Sequence, residues 1–301
     1  MCSLIAGSDN METVWAASLV LGLCSVVPQI FVPMAGLFSM PQNKSRNMGI
    51  VLSGLLSGVL GARVISGYVG EFTDWRTMFQ SAAIIMLICL WWAYRTMPVM
   101  RPSFSGSYAQ LMRSVFSIYT SHPAIRIYSL RGGLAFGSMM CIWSCMAFHL
   151  AQAPFHAGSE QVGMLGLCGM AGAVAASGVG KYMPRLGIHR FCLIGTTLQF
   201  IAWTISIYFG YSYMGLIAAI ILVDIGAQCH QLSNQSGCLQ LVPKATNRAN
   251  TIFMTHLFIG GSLGTLCAGI AWNHAGWTGV CLTGFIFAAA SLMVTLWKSE
   301  F

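Results

Sequence analysis

Nine apolar runs, each long enough to cross a bilayer as an α-helix, constrain this 301-residue chain more than any other feature. They fall near 13–38, 46–70, 77–96, 125–151, 160–182, 191–209, 213–240, 246–271 and 277–297. A helix rises 1.5 Å per residue, so about 20 apolar residues span the hydrocarbon core. Barrel strands would be about half as long and would alternate in polarity, which these runs do not. The expected fold class is therefore all-α, a polytopic helical membrane protein with nine transmembrane helices. Composition supports the same conclusion. Only 7% of residues are charged and 56% are apolar, with a mean hydropathy of +0.71. So few charges do not coat a water-facing surface, and the lipid bilayer is the expected partner of the outer surface.

The 15 Lys+Arg against 7 Asp+Glu do not form a basic patch; they sit singly in short joints, which argues against nucleic acid as a partner. The eleven cysteines lie mostly inside apolar runs, with no CxxC pair, and are read as small buried residues rather than a disulfide framework. The spans carry no HExxH, no serine nucleophile constellation and no cofactor motif, so neither an enzyme nor a cofactor or metal is expected. The first ten residues lack the basic region of a cleavable signal peptide.

The charges orient the helices. Lys44 and Arg46, then Arg101, Arg113 and Arg126, then Lys181, Arg185 and Arg190, then Lys244 and Arg248 occupy alternate joints, and Lys298 follows the last span. Asp9, Glu12, Glu71, Asp74 and Glu160 occupy the other joints, with Arg76 their one base. Because cytoplasmic loops carry the Lys/Arg excess, the first set and the C-terminus are placed in the cytoplasm. In the long joint 97–124, Leu111, Val115, Ile118 and Tyr119 share a face, as on an amphipathic interfacial helix.

The chain also repeats itself at a gapless offset of 202 residues. Gln29 falls on Gln231, Pro41 on Pro243, Arg46 on Arg248, Gly58 on Gly260, Gly67 on Gly269 and Trp75 on Trp277. Parallel repeats related by an axis along the membrane normal are a transporter construction. The span group 125–209 lacks an upstream counterpart, so the repeat predicts about three further helices, on the order of 80–90 residues. Their addition would also return the N-terminus to the cytoplasm.

On these residues the chain resembles the major facilitator superfamily, specifically its bacterial exporter-like members, over essentially its whole length. The resemblance rests on Gly180-x-x-x-Pro184-Arg185-x-Gly187-x-x-Arg190, similar to that family's cytoplasmic loop signature, and on Trp75-Arg76. It rests further on Asp224-Ile225-Gly226-Ala227-Gln228 through Asn234-Gln235, Pro243, Arg248, Asn250 and Gly260-Gly261 to Gly276-Trp277. The signature has Asp where this chain has Pro184. The resemblance implies helices four to twelve of twelve. Residues 1–96 are then the second half of the N-terminal bundle, 97–124 a cytoplasmic linker, and 125–301 the C-terminal six-helix bundle. It further implies proton-coupled movement, as efflux, of a small molecule by alternating access. A monomer in the bacterial inner membrane is expected, with an unknown small-molecule substrate and protons as partners. The alternative is an N-terminally truncated, transport-inactive remnant of such a transporter.

Ionisable groups inside a span are costly and mark function. Asp224 is the one acid in any span, about 16 Å from the start of its helix. Gln228, Gln231 and Gln235 follow it on the same face, and Gln29 is the repeat counterpart of Gln231, between Pro28 and Pro33. This polar stripe is the candidate proton-coupling and cavity face; an Asp satisfied by bonds between helices is the other reading. Arg63 and Arg131 are candidate cavity residues, although Arg63 is also placed to snorkel or to pair with Glu71, and Arg131 lies toward the cytoplasmic mouth. Phe136, Met140 and Trp143 share a face that suits either an apolar substrate wall or ordinary packing. His149, His230 and His256 are expected to be hydrogen-bonded. Small residues at spacing four, on Gly54/Gly58/Ala62, Ser53/Ser57/Gly61 and Gly260/Gly264/Ala268, are expected to bring helices close. Gly163, Gly166, Gly169 and Gly172 carry the same expectation.

Overall fold

The computed structural model describes residues 1–25, 31, 34, 38–40, 43–97, 106–180 and 183–297. Every described element is helical. In chain order they are α1 (Cys2–Gly7), α2 (Met11–Cys24), α3 (Lys44–Phe72), α4 (Trp75–Thr96), α5 (Tyr108–Ser121), α6 (Pro123–Ala151), α7 (Ser159–Gly180), α8 (Met183–Phe209), α9 (Tyr213–Leu241), a 3₁₀ turn (Pro243–Ala245) and α10 (Thr246–Trp297). Five of the described helical stretches are long and apolar enough to cross a membrane: Trp75–Thr96, Pro123–Ala151, Arg185–Phe209, Tyr213–Leu241 and Pro243–Trp297. The last contains two of the expected runs, because α10 turns at Gly276, where φ is +57°. Only glycine adopts that conformation at little cost. α8 breaks in the same way at Gly187, at φ +79°, so the glycine of the loop motif marks a kink just before the long arm of that helix.

The 202-residue offset recurs in the helix starts. Met11 and Tyr213 open α2 and α9, Lys44 and Thr246 open α3 and α10, and Trp75 and Trp277 open α4 and the second arm of α10. The turn before the tryptophan uses different chemistry in each copy. Asp74 caps α4 by accepting from the Arg76 N–H at 3.3 Å, whereas the chain at 276 relies on the glycine φ.

The chain divides into two compact units, Met1–Pro102 with Gly158–Leu167, and Ser103–Ala157 with Cys168–Phe301. In the first, α1 packs on α4 and an exposed ion pair joins Arg76 to Asp9 at 2.5 Å. Glu71 accepts from the Ser159 N–H at 2.8 Å and its hydroxyl at 3.3 Å, satisfying donors at the start of α7. α3 meets α7 where Gly67 and Gly163 face each other; a Cβ on Gly67 would lie 2.9 Å from the Gly163 Cα. Gly54, Gly58 and Gly61 of the same helix have no described neighbour within 4 Å. Large apolar side chains of α4, among them Ile84, Leu87, Trp91 and Trp92, face outward, as lipid-covered surface does.

In the second unit α6 is central and packs on α9 and α10, while α8 packs on α9 and α10. The α6–α10 contact is a small-residue seam on both sides. Gly133 and Gly137 of α6 meet Gly260 and Gly264 of α10, and a Cβ on Gly137 would fall 2.6 Å from the Gly260 carbonyl oxygen. Without a hydrophobic drive between helices in lipid, such close backbone approach supplies the packing energy.

Candidate functional site

Asp224 lies in the middle third of α9 and is only 7% exposed. The Trp143 Nε1–H of α6 donates to its Oδ1 at 3.0 Å. Gly169 of α7 closes the other side: a Cβ there would lie 2.6 Å from Asp224 Oδ2 and 2.8 Å from Trp143 Cζ2. Three helices thus converge on one carboxylate, and two of the sequence candidates, Asp224 and Trp143, are brought into contact. Taking a carboxylate out of water is costly, so the indole donor to it carries weight. Sequence spacing gave Gly169 only a packing role; its place against the carboxylate is visible only once α7 is set beside α9.

The rest of the stripe is less enclosed. Gln228 and Gln231 are half-buried, and Gln235 donates to Asn250 Oδ1 at 2.8 Å, tying α9 to the first arm of α10. Gln29, Pro28 and Pro33 lie outside the described residues. Phe136 and Met140 pack against Gly261 of α10, with Phe136 Cε1 2.7 Å from a Cβ built there, while Trp143 meets Gly169 and Asp224. Arg63, half-buried, lays its stem on Gly166 in the first unit. Gly180 ends α7, and Arg185 and Arg190 are exposed on either side of Gly187.

Arg131 is enclosed rather than open at a mouth: it is 1% exposed. Its Nε donates to Asn234 Oδ1 at 2.7 Å, and its guanidinium lies 5.3 Å from the Tyr128 ring centroid. Its Nη2 has no hydrogen-bond partner among the described residues. Asn234 in turn donates to the His230 carbonyl at 2.7 Å. Distance along α6 placed Arg131 near the helix start, but not which way the side chain turned. It points into the unit, toward a second polar stripe that the sequence reading missed.

That stripe runs down α8 through Cys192, Thr196, Gln199, Trp203, Ser206 and Gly210, spaced three or four apart and all buried. Thr196 Oγ1 lies 2.9 Å from His230 Nε2, and Gln199 Nε2 donates to the Ala135 carbonyl at 2.9 Å. Trp203 Nε1 donates to Ser138 Oγ at 2.8 Å, which donates to the Gly284 carbonyl at 2.8 Å. At the far end Trp277 Nε1 donates to the Ser206 carbonyl at 3.0 Å, and His149 Nε2 donates to that of Gly210 at 2.7 Å while stacking on Trp277 at 3.9 Å. His256 bonds the Ile252 carbonyl at 2.9 Å through Nδ1. The three histidines are therefore structural bonds between or along helices. The spacing of the α8 stripe was present in the sequence, but its mix of Cys, Thr, Trp and Ser is not an obvious polar face.

Residues 1–265 match the Major Facilitator Superfamily. The "Uncharacterized transporter YgaY" of Escherichia coli O157:H7 is 35% identical over 292 residues, covering 97% of this chain and 74% of the relative. The chain belongs to the major facilitator superfamily. Two more distant relatives are the "Probable transporter SCO4007" of Streptomyces coelicolor, 26% identical over 87% of this chain and 61% of the relative, and the "Probable sugar efflux transporter" of Helicobacter acinonychis, 21% identical over 84% and 63%. This major facilitator is accordingly a multi-pass membrane transporter and not an enzyme. Within the second unit, the Trp143–Asp224–Gly169 junction and the Arg131–Asn234 pair each bury an ionisable group that a bilayer-embedded bundle holds only at a cost.

Proposed function

We propose that this transporter exports a small molecule from the bacterial cytoplasm by alternating access, driven by protons, with Asp224 as the coupling group. The C-terminus is then cytoplasmic and the protein acts as a monomer. The observation that carries the reading is the buried Asp224 carboxylate held by the Trp143 indole N–H at 3.0 Å. The ionised carboxylate accepts this bond as a charge-assisted one; the protonated acid accepts it more weakly and gains a donor of its own. Proton arrival therefore loosens the tie between α9 and α6, and proton departure restores it. A carboxylate about 16 Å into its helix is near the bilayer midplane, where access can alternate between the two sides.

Sugars are the first substrate class to screen, because one relative bears the name of a sugar efflux transporter. Everted membrane vesicles carrying the protein, energised to an acid interior, are challenged with a panel of mono- and disaccharides and then lipophilic solutes. A coupled substrate dissipates the pH difference in wild-type vesicles, and Asp224→Asn abolishes that response while the protein remains in the membrane. Equal dissipation by both proteins would remove Asp224 from the mechanism.

A further inference from the structure

Among the described residues of the second unit, α5 is apolar over a wider arc than its neighbours cover. At 100° per residue, its apolar side chains span an arc of about 160°. Leu111, Val115, Ile118 and Tyr119 occupy one part of it, half-buried, and Val115, Ile118 and Tyr119 pack on the core of Ile125, Tyr128, Phe253 and Leu257. Met112 and Phe116 continue the arc on the adjoining side and are 40% and 67% exposed, and Tyr108, at the first helical position, is 76% exposed. The remaining arc is polar, with Gln110, Arg113 and Ser117. A capping box between Ser107 and Gln110 fixes where the helix begins.

A helix with one side of its apolar arc on a bundle and the other side open lies in a corner, and in a membrane protein that corner is filled by lipid. Charge identifies the kind of lipid. Arg113 is exposed just beyond Phe116, where a guanidinium can reach headgroups while its stem stays along apolar surface. Arg126, one turn into α6, has its guanidinium 6.0 Å from the Tyr119 ring of α5. No acidic residue occurs anywhere in 97–159. We propose that Tyr108, Met112 and Phe116 are seated at the headgroup–acyl boundary of the bilayer, and that Arg113 selects anionic phospholipid there. α5 thereby fixes the height of α6 and α10 against the membrane surface. This inference needs the bilayer but not proton coupling, so its test is independent of transport.

The test places a photoreactive benzoylphenylalanine at position 116, 112 or 111 of the full chain in nanodiscs containing alkyne-tagged phosphatidylglycerol or phosphatidylcholine. Light-induced lipid adducts are expected at 116 and 112 and not at 111. Attraction of one base to an anionic surface is worth about fivefold, so phosphatidylglycerol adducts should exceed phosphatidylcholine adducts by about that factor. Arg113→Gln should remove the preference and keep the adducts. The proposal is overturned if position 116 yields no lipid adduct, or if it crosslinks instead to another segment of this chain or to a second copy. Equal labelling by both lipids overturns the selection of anionic headgroups.

Discussion

The Trp143 indole N–H and the Asp224 carboxylate, 3.0 Å apart, join α6 to α9 through the one acid of α9. If that bond reports the ionisation of Asp224, its two ends should fail differently. Trp143→Phe keeps the ring and removes the donor. It should lower proton-driven flux by roughly tenfold, the equivalent of one hydrogen bond to a charged group at about 1.5 kcal/mol, while downhill exchange of substrate persists. A vesicle assay of driven flux against exchange checks this; equal loss of both would make Trp143 a substrate contact or a packing residue instead.

Gly169 should tolerate no side chain. The methyl of Gly169→Ala would stand 2.6 Å from Asp224 Oδ2 and 2.8 Å from the Trp143 ring, so the carboxylate or the indole must move. Driven flux should fall at least as far as in Trp143→Phe, and the overpacking should also cost about 1–3 kcal/mol of stability, read as a lower unfolding temperature in detergent. An active Gly169→Ala protein would show that the junction is not held as described.

The glycine seam between α6 and α10 predicts a stability effect without a functional site. Gly137→Ala places a methyl 2.6 Å from the Gly260 carbonyl oxygen, and such overpacking costs about 1–3 kcal/mol. Gly58→Ala in α3, with no described neighbour within 4 Å, should lie within about 0.5 kcal/mol of wild type. Thermal unfolding in one detergent compares the two; similar losses would remove the distinction between packed and unpacked glycines.

Arg131 and Asn234 should be strongly coupled. Removing the acceptor with Asn234→Leu strands a buried guanidinium, which is worse than removing the charge with Arg131→Met. The double variant should therefore be more stable than Asn234→Leu alone, and a double-mutant cycle of unfolding temperatures measures it. Additive losses would mean that the 2.7 Å bond carries no energy of its own.

What the sequence made legible follows from periods and offsets. The helix starts at Met11, Lys44 and Trp75 recur 202 residues later because the same joints are built twice, and Gly276 and Gly187 mark breaks because only glycine takes positive φ readily. Asp224 stood out because an acid inside an apolar run has few structural excuses. Side-chain direction was not legible. Arg131 and Phe136 share a helix with Trp143, yet one turns toward Asn234, one toward Gly261 and one toward Asp224. Which neighbour each meets depends on helices far away in the chain, and no period within α6 encodes it.

The most direct test of the account is the dissipation of an imposed pH difference by substrate in everted vesicles, compared between wild type and Asp224→Asn. The account predicts a substrate-dependent collapse with wild type and none with Asp224→Asn, whose exchange of labelled substrate continues. Substrate-dependent collapse of the same size in both proteins would contradict it.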